Sequence, residues 1–72
     1  MRRARLKIKE VAEQKHMSMR QLHLKSEIAL SRMKKFYRDP YIDIKLGTLT
    51  RIADVLGCEV CDLFETEDIE KP

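Results

Sequence analysis

The chain has 72 residues, with fifteen Lys+Arg against twelve Asp+Glu and a formal net charge of +3. That length holds one small core, and a hydrophobic content of 43% is too high for a disordered, charge-dominated chain. No apolar run approaches the ~18 residues of a membrane span, and no signal-peptide core follows the basic start. Two cysteines cannot build a disulfide framework, which makes a reducing cytoplasm the expected location. Two glycines, two prolines and few aromatics favour helices over a β-sandwich.

The charge is unevenly placed. Residues 1–38 carry twelve Lys+Arg and three acids (Glu10, Glu13, Glu27), a sum of +9, whereas residues 39–72 carry three and nine, a sum of −6. A compact fold of such a chain presents a basic front, suited to a polyanion such as DNA, and an acidic back. A merely solvated Lys/Arg surface accounts for the same polarity.

In chain order, residues 1–7 form a basic arm expected to be loose. Ile8, Val11, Ala12 and the aliphatic stem of Lys15 recur at helical spacing and predict a first helix over 8–15. Ser18-x-x-Gln21 is a capping box, and Met17 and Leu22 stand at the positions of a hydrophobic staple. They mark the start of a second helix running to about Lys25. After a short turn, Leu30, Met33, Phe36 and Tyr37 predict a third helix to Arg38, stopped by Asp39-Pro40. Residues 41–46 alternate and read as an extended connection, with a two-stranded ribbon between residues 5–8 and 42–45 as its candidate pairing. Leu49, Ile52, Ala53 and Leu56 define a fourth helix with Gly57 as its left-handed exit. Val60, Leu63 and Phe64 suggest a short fifth helix, and residues 66–72 an acidic, frayed tail. The expectation is a single all-α domain of five helices spanning residues 1–72.

Two helices joined by a tight turn are the geometry of a helix-turn-helix, in which the second helix enters the major groove while the first braces across the backbone. With Met33 at zero and 100° per residue, Ala29, Leu30, Phe36 and Tyr37 lie within about 60° of it. Ser31, Lys34, Lys35 and Arg38 lie about 100° or more away, with Arg32 on the flank. The outward stripe therefore carries a hydroxyl and cations, donors suited to phosphate oxygens and to guanine O6 and N7. Charge runs often only solubilise a helix face. Stripe, turn, capping box and lopsided charge together favour DNA.

From Ile8 to Phe64 the chain resembles the phage repressor/Cro (Xre) helix-turn-helix family. The carrying residues are Ser18 and Leu22, then Ile28, Met33 and Phe36, then Thr48-Leu49 and Ile52-Ala53-Asp54-Val55-Leu56-Gly57, with Val60 and Leu63 closing the pattern. The resemblance implies a lambda-repressor-like fold and a regulator, in the main a repressor, that binds operator DNA as a homodimer. It implies base contacts from Leu30, Ser31, Lys34 and Lys35. Leu30 also lies on the inward side of the wheel, so it either packs or approaches a thymine methyl. Phosphate contacts are implied for Arg20, Arg32, Arg38, Lys45 and Thr48, aided by backbone N–H groups where the second and fourth helices begin. The chain departs from the family pattern at five places: His23 replaces a small Ala, Glu27 and Asp39 replace glycines, Met19 replaces a Gln, and Lys45 replaces a Ser/Thr cap. Glu27 would cost about 1–2 kcal/mol if held left-handed.

Cys58-x-x-Cys61 is half of a zinc site at best, with no second pair nearby; packing of Cys58 and a surface thiol at Cys61 compete with a redox or metal switch. Arg2, Arg3 and Arg5 either reach into a minor groove or remain solvated. No phosphate-binding loop, zinc-protease motif or nucleophilic triad is present, so neither catalysis nor a cofactor is expected. The alternative function is an antitoxin or adaptor, a protein-interaction module that uses the acidic back together with Phe64 and Ile69.

Overall fold

The computed structural model describes residues 1–69, and its chain begins in a strand where a loose arm was expected. β1 (Arg2–Leu6) pairs antiparallel with β2 (Phe64–Asp68). The register sets Arg2 opposite Asp68, Arg3 opposite Glu67 and Arg5 opposite Glu65. Cross-strand pairs of opposite charge stabilise such a ladder, each by about 0.2–1 kcal/mol. The ribbon thus exists, but residues 42–45 are not its second strand. Pro40, just before that segment, instead accepts a bond from the arm's end, from the Leu6 N–H at 2.7 Å. The next residue turns the other way, Lys7 N–H donating to Leu63 at 2.7 Å, and this begins the ladder with β2.

α1 (Ile8–Gln14) buries Ile8, Val11 and Ala12. It ends with His16 at φ 58°, His16 N–H bonding to Glu13 and Met17 N–H to Ala12. This is a Schellman closure made without glycine. α2 (Met19–Ser26) begins at the expected box: the Ser18 hydroxyl accepts from Gln21 N–H at 3.1 Å, while Ser18 N–H donates to the Gln21 side chain at 3.0 Å. Its inward face carries Leu22 and Ser26, and the buried Ser26 hydroxyl is satisfied by the Leu22 carbonyl at 2.6 Å. α3 (Leu30–Arg38) has the predicted bounds.

α4 (Leu46–Leu56) starts three residues before Leu49 with Lys45 as its N-cap, the position the resemblance implies, so Leu46 belongs to the helix and not to the extended connection, although its side chain is exposed. Gly57 leaves it at φ 70°, with Cys58 N–H bonding to Ala53 as a second Schellman closure. The expected fifth helix is a single 3-10 turn, Val60–Leu63. Only four residues, 60–63, lie between the Glu59 N-cap and β2, too few for more than a single turn. The architecture is therefore four α-helices and a two-stranded ribbon, not five helices. Of the expected frayed tail, residues 66–68 are strand, and residues 70–72 lie outside the described residues.

One cluster forms the core: Leu6, Ile8, Val11, Ala12, Leu22, Ile28, Met33, Phe36, Leu49, Ile52, Ala53, Leu56 and Leu63. Fully burying a Leu, Ile or Met side chain contributes about 1.5–3 kcal/mol. Every element except β2 gives this cluster a buried residue, and β2 packs Phe64 against it.

Candidate nucleic-acid interface

The interface is built on α3, and Met33 and Phe36 anchor that helix. Both are buried, whereas Ser31, Arg32, Lys34, Lys35 and Arg38 are exposed. Leu30 and Tyr37 are half-buried at the margin between the two faces. The wheel is followed at each of these positions. It fails at Ala29, which is exposed: this residue is the N-cap, with ψ 140°, and so lies off the helical path.

The turn from α2 to α3 is tight because Glu27 adopts φ 59°, ψ 24°, the left-handed conformation that favours glycine. The strain expected of this residue is therefore present. Beside it, His23 Nδ1 lies 2.6 Å from the Ile28 carbonyl oxygen. The imidazole bridges the turn at a position that the sequence marks only as a departure from the family pattern. The available signal was the pairing of two departures, a polar ring in α2 and a non-glycine residue at the bend four positions later.

The cations of α3 are free. Among the described residues, the ion pairs all involve Arg2, Arg3 or Arg5, and none involves Arg32, Lys34, Lys35 or Arg38. Arg32 carries its guanidinium 6.0 Å from the centroid of the Phe36 ring. Around α3, Arg20 is exposed in the first turn of α2, and Lys45 is exposed as the N-cap of α4. The Lys45 side chain makes no capping bond, and the first turn of α4 carries no acid. That helix end therefore offers Leu46, Gly47 and Thr48 backbone N–H groups without a side-chain competitor, a setting that favours anions. Thr48 is half-buried, and Gly47 has open space where a Cβ would stand.

Within the ribbon, three arginines of the basic half meet three acids of the acidic half. Arg3 Nε lies 2.9 Å from Glu67; Arg5 lies 2.9 Å from Glu10 and 3.4 Å from Glu65; Arg2 lies 3.8 Å from Asp68. Arg3 also stacks on Tyr41, 3.9 Å from the ring centroid. The Tyr41 hydroxyl and the Arg3 guanidinium together hold the Glu67 carboxyl below its ordinary range. An arm free to enter a minor groove is thus replaced by a neutralised strand, and the acids of the tail face arginines. Glu65, Glu67 and Asp68, three acids of the half on which the protein-interaction reading relied, are the ones that face these arginines. Phe64 is half-buried against the core and Ile69 is exposed.

Cys58 is half-buried, Cys61 is exposed and both are free thiols. Burial, then Asp62, pushes the Cys58 thiol up, which disfavours the reactive thiolate. No group of three or more His, Cys, Asp or Glu among the described residues is placed to hold a metal ion. None of the described helices is long and apolar enough to cross a membrane.

A capped bracing helix, a tight turn and an outward cationic helix define a helix-turn-helix module. A family model described as the Cro/C1-type HTH DNA-binding domain matches residues 7–68, and the chain belongs to that family. Comparison with curated proteins and with solved structures gave no match. The family accounts for a DNA-binding domain of transcription regulators, and the structure supplies its mostly helical frame.

Proposed function

We propose that the chain is a sequence-specific transcriptional repressor that binds a pseudo-palindromic duplex as a homodimer, with α3 in the major groove. Residues 1–72 act as one DNA-binding unit, without a cofactor or a catalytic step. The observation that carries this reading is the α3 surface: four cations with no ion-pair partner among the described residues, held outward by a side anchored on Met33 and Phe36.

Lys34 and Lys35 offer ammonium donors to guanine O6 and N7, and Ser31 donates to or accepts from a neighbouring base edge. Leu30, half-buried at the start of the helix, keeps enough exposed surface to meet a thymine methyl. Arg20, Arg32, Arg38, Lys45 and Thr48 hold the flanking phosphates, with the uncapped start of α4 adding backbone donors. Repression follows from occupancy of a promoter.

Selection of bound sites from random duplexes tests the proposal. The expected product is two inverted half-sites with centres about 10 bp apart. Enrichment of no motif, or of a single-stranded one, would refute it. Transcription from a promoter carrying the selected site should then fall when the protein is added.

A further inference from the structure

We propose that His23 is a positioning residue for base discrimination: its ring holds the bend at Glu27 closed and so fixes the pose in which α3 meets the bases. This role rests on the sequence-specific DNA-binding reading above and assigns part of that specificity to a side chain placed behind the recognition surface.

Among the described residues, three bend the backbone through the left-handed region: His16, Glu27 and Gly57. Two of these bends are closed by the backbone itself. The amide after His16 donates back, Met17 N–H to Ala12, and so does the amide after Gly57, Cys58 N–H to Ala53. No such bond runs from the Ile28 N–H back to α2 among the described residues. The bend at Glu27 thus lacks both a glycine and a backbone closure.

The imidazole supplies what is missing. His23 Nδ1 lies 2.6 Å from the carbonyl oxygen of Ile28, on the far side of the bend. Among the described residues this is the one side-chain hydrogen bond from α2 to residues 27–29, since the Ser26 hydroxyl turns back onto α2. α3 adds no restraint of its own at this end, because its N-cap, Ala29, makes no side-chain capping bond.

Leu30 and Ser31, assigned above to base edges, follow directly after Ala29, so their pose is set by this turn. The phosphate contacts are made by long, flexible side chains and depend on charge, which a looser turn leaves unchanged. Loosening therefore lowers the population of the base-reading pose, and with it the apparent affinity for the selected site alone.

The test titrates the selected duplex and a random one with the wild type, His23→Ala, His23→Asn and His23→Ala/Glu27→Gly. All are measured below the melt of every variant, with circular dichroism as the folding control. Asn carries an amide N–H at the branch position of Nδ1 and can remake the bond, while Glu27→Gly lets the bend close without a tether. His23→Ala is expected to lower the ratio of the two affinities about fivefold, the shift of one ordinary hydrogen bond, with random-duplex affinity unchanged. His23→Asn or the added Glu27→Gly should restore most of that ratio. A merely structural role would lower the melt of His23→Ala and leave the ratio alone. If His23→Ala does not fold, His23→Leu, which keeps bulk without a donor, gives the same readout. A ratio unchanged by the loss of the imidazole, or a loss that neither rescue reverses, overturns the inference while leaving the DNA-binding reading intact. A wild type that prefers no duplex refutes that reading and this role together.

Discussion

The Nδ1 atom of His23 lies 2.6 Å from the carbonyl oxygen of Ile28, so a side chain of α2 is bonded to the backbone that leads into α3. A carbonyl only accepts, and the ring therefore presents Nδ1 as its N–H donor. The bond ties the bracing helix to the turn. His23→Ala should cost about 1–2 kcal/mol, because the loss of a donor leaves a part-buried carbonyl unpaired. Urea denaturation measures this loss, and faster amide exchange at residues 27–30 should accompany it. Unchanged stability and exchange would show that the imidazole does not hold the turn.

Glu27 sits at the other side of that bend, at φ 59°. Glu27→Gly relieves about 1–2 kcal/mol of left-handed strain and gives back about 0.5–1 kcal/mol to the freer unfolded chain. The net gain, of order 1 kcal/mol, should raise Tm by about 4–8 °C in a domain of this size. A lower Tm would mean that the glutamate side chain makes a stabilising contact that outweighs the strain.

The α3 surface predicts two kinds of defect. Lys35→Ala should relax sequence preference and cost about 1–3 kcal/mol at the selected site. Lys45→Ala should weaken binding to all duplexes alike and reduce the salt slope by about one. Titrations of cognate and random duplexes over a range of salt separate the two. If Lys35→Ala changes neither affinity nor preference, the assignment of that face to bases is wrong.

The ribbon should respond to acid. Glu67 is held below its ordinary range by Tyr41 and Arg3, so its folded carboxyl releases its proton more readily than the unfolded one. The stability it contributes is complete above the unfolded value, about 4.3, and is lost as pH falls through the lower folded value. Cross-strand proton contacts between residues 2–6 and 64–68, followed by NMR on acidification, should fade in that window. Glu67→Gln should abolish the part of the pH dependence that comes from this group.

Tyr37 places a buried hydroxyl where it finds no partner among the described residues. Burial, with Glu13 nearby, also pushes that hydroxyl up and keeps it neutral. Tyr37→Phe removes an unsatisfied group and should stabilise the fold by about 1 kcal/mol, as measured by thermal denaturation. A clear loss of stability would reveal a bridging water or another partner.

The helix-turn-helix is legible in the sequence because its determinants are local. The Ser18–Gln21 box marks one boundary, Asp39-Pro40 marks another, and the spacing of Leu30, Met33, Phe36 and Tyr37 defines a face. The ribbon is not legible in this way. Its strands lie about sixty residues apart and consist largely of Arg, Glu and Asp, which are poor indicators of a strand. What marks them as partners is pairwise opposite charge across the ladder, information that appears only when the two ends are set side by side. At α4 the family resemblance places the cap at Lys45, where the structure has it, whereas the alternation of residues 41–46 draws Leu46 into the extended connection. In the site, the cationic stripe was readable from the wheel, whereas the role of His23 depends on a carbonyl five residues away and has no pattern of its own.

The ladder continues to the ends of the described chain, where Ile69 N–H donates to the Met1 carbonyl at 2.8 Å. A short engineered loop from residue 69 back to Met1 would therefore close the backbone into a ring at little entropic cost. Such a cyclised form would keep every pairing described above. For the same reason, a fluorophore attached at Met1 emerges beside Ile69 rather than across the molecule.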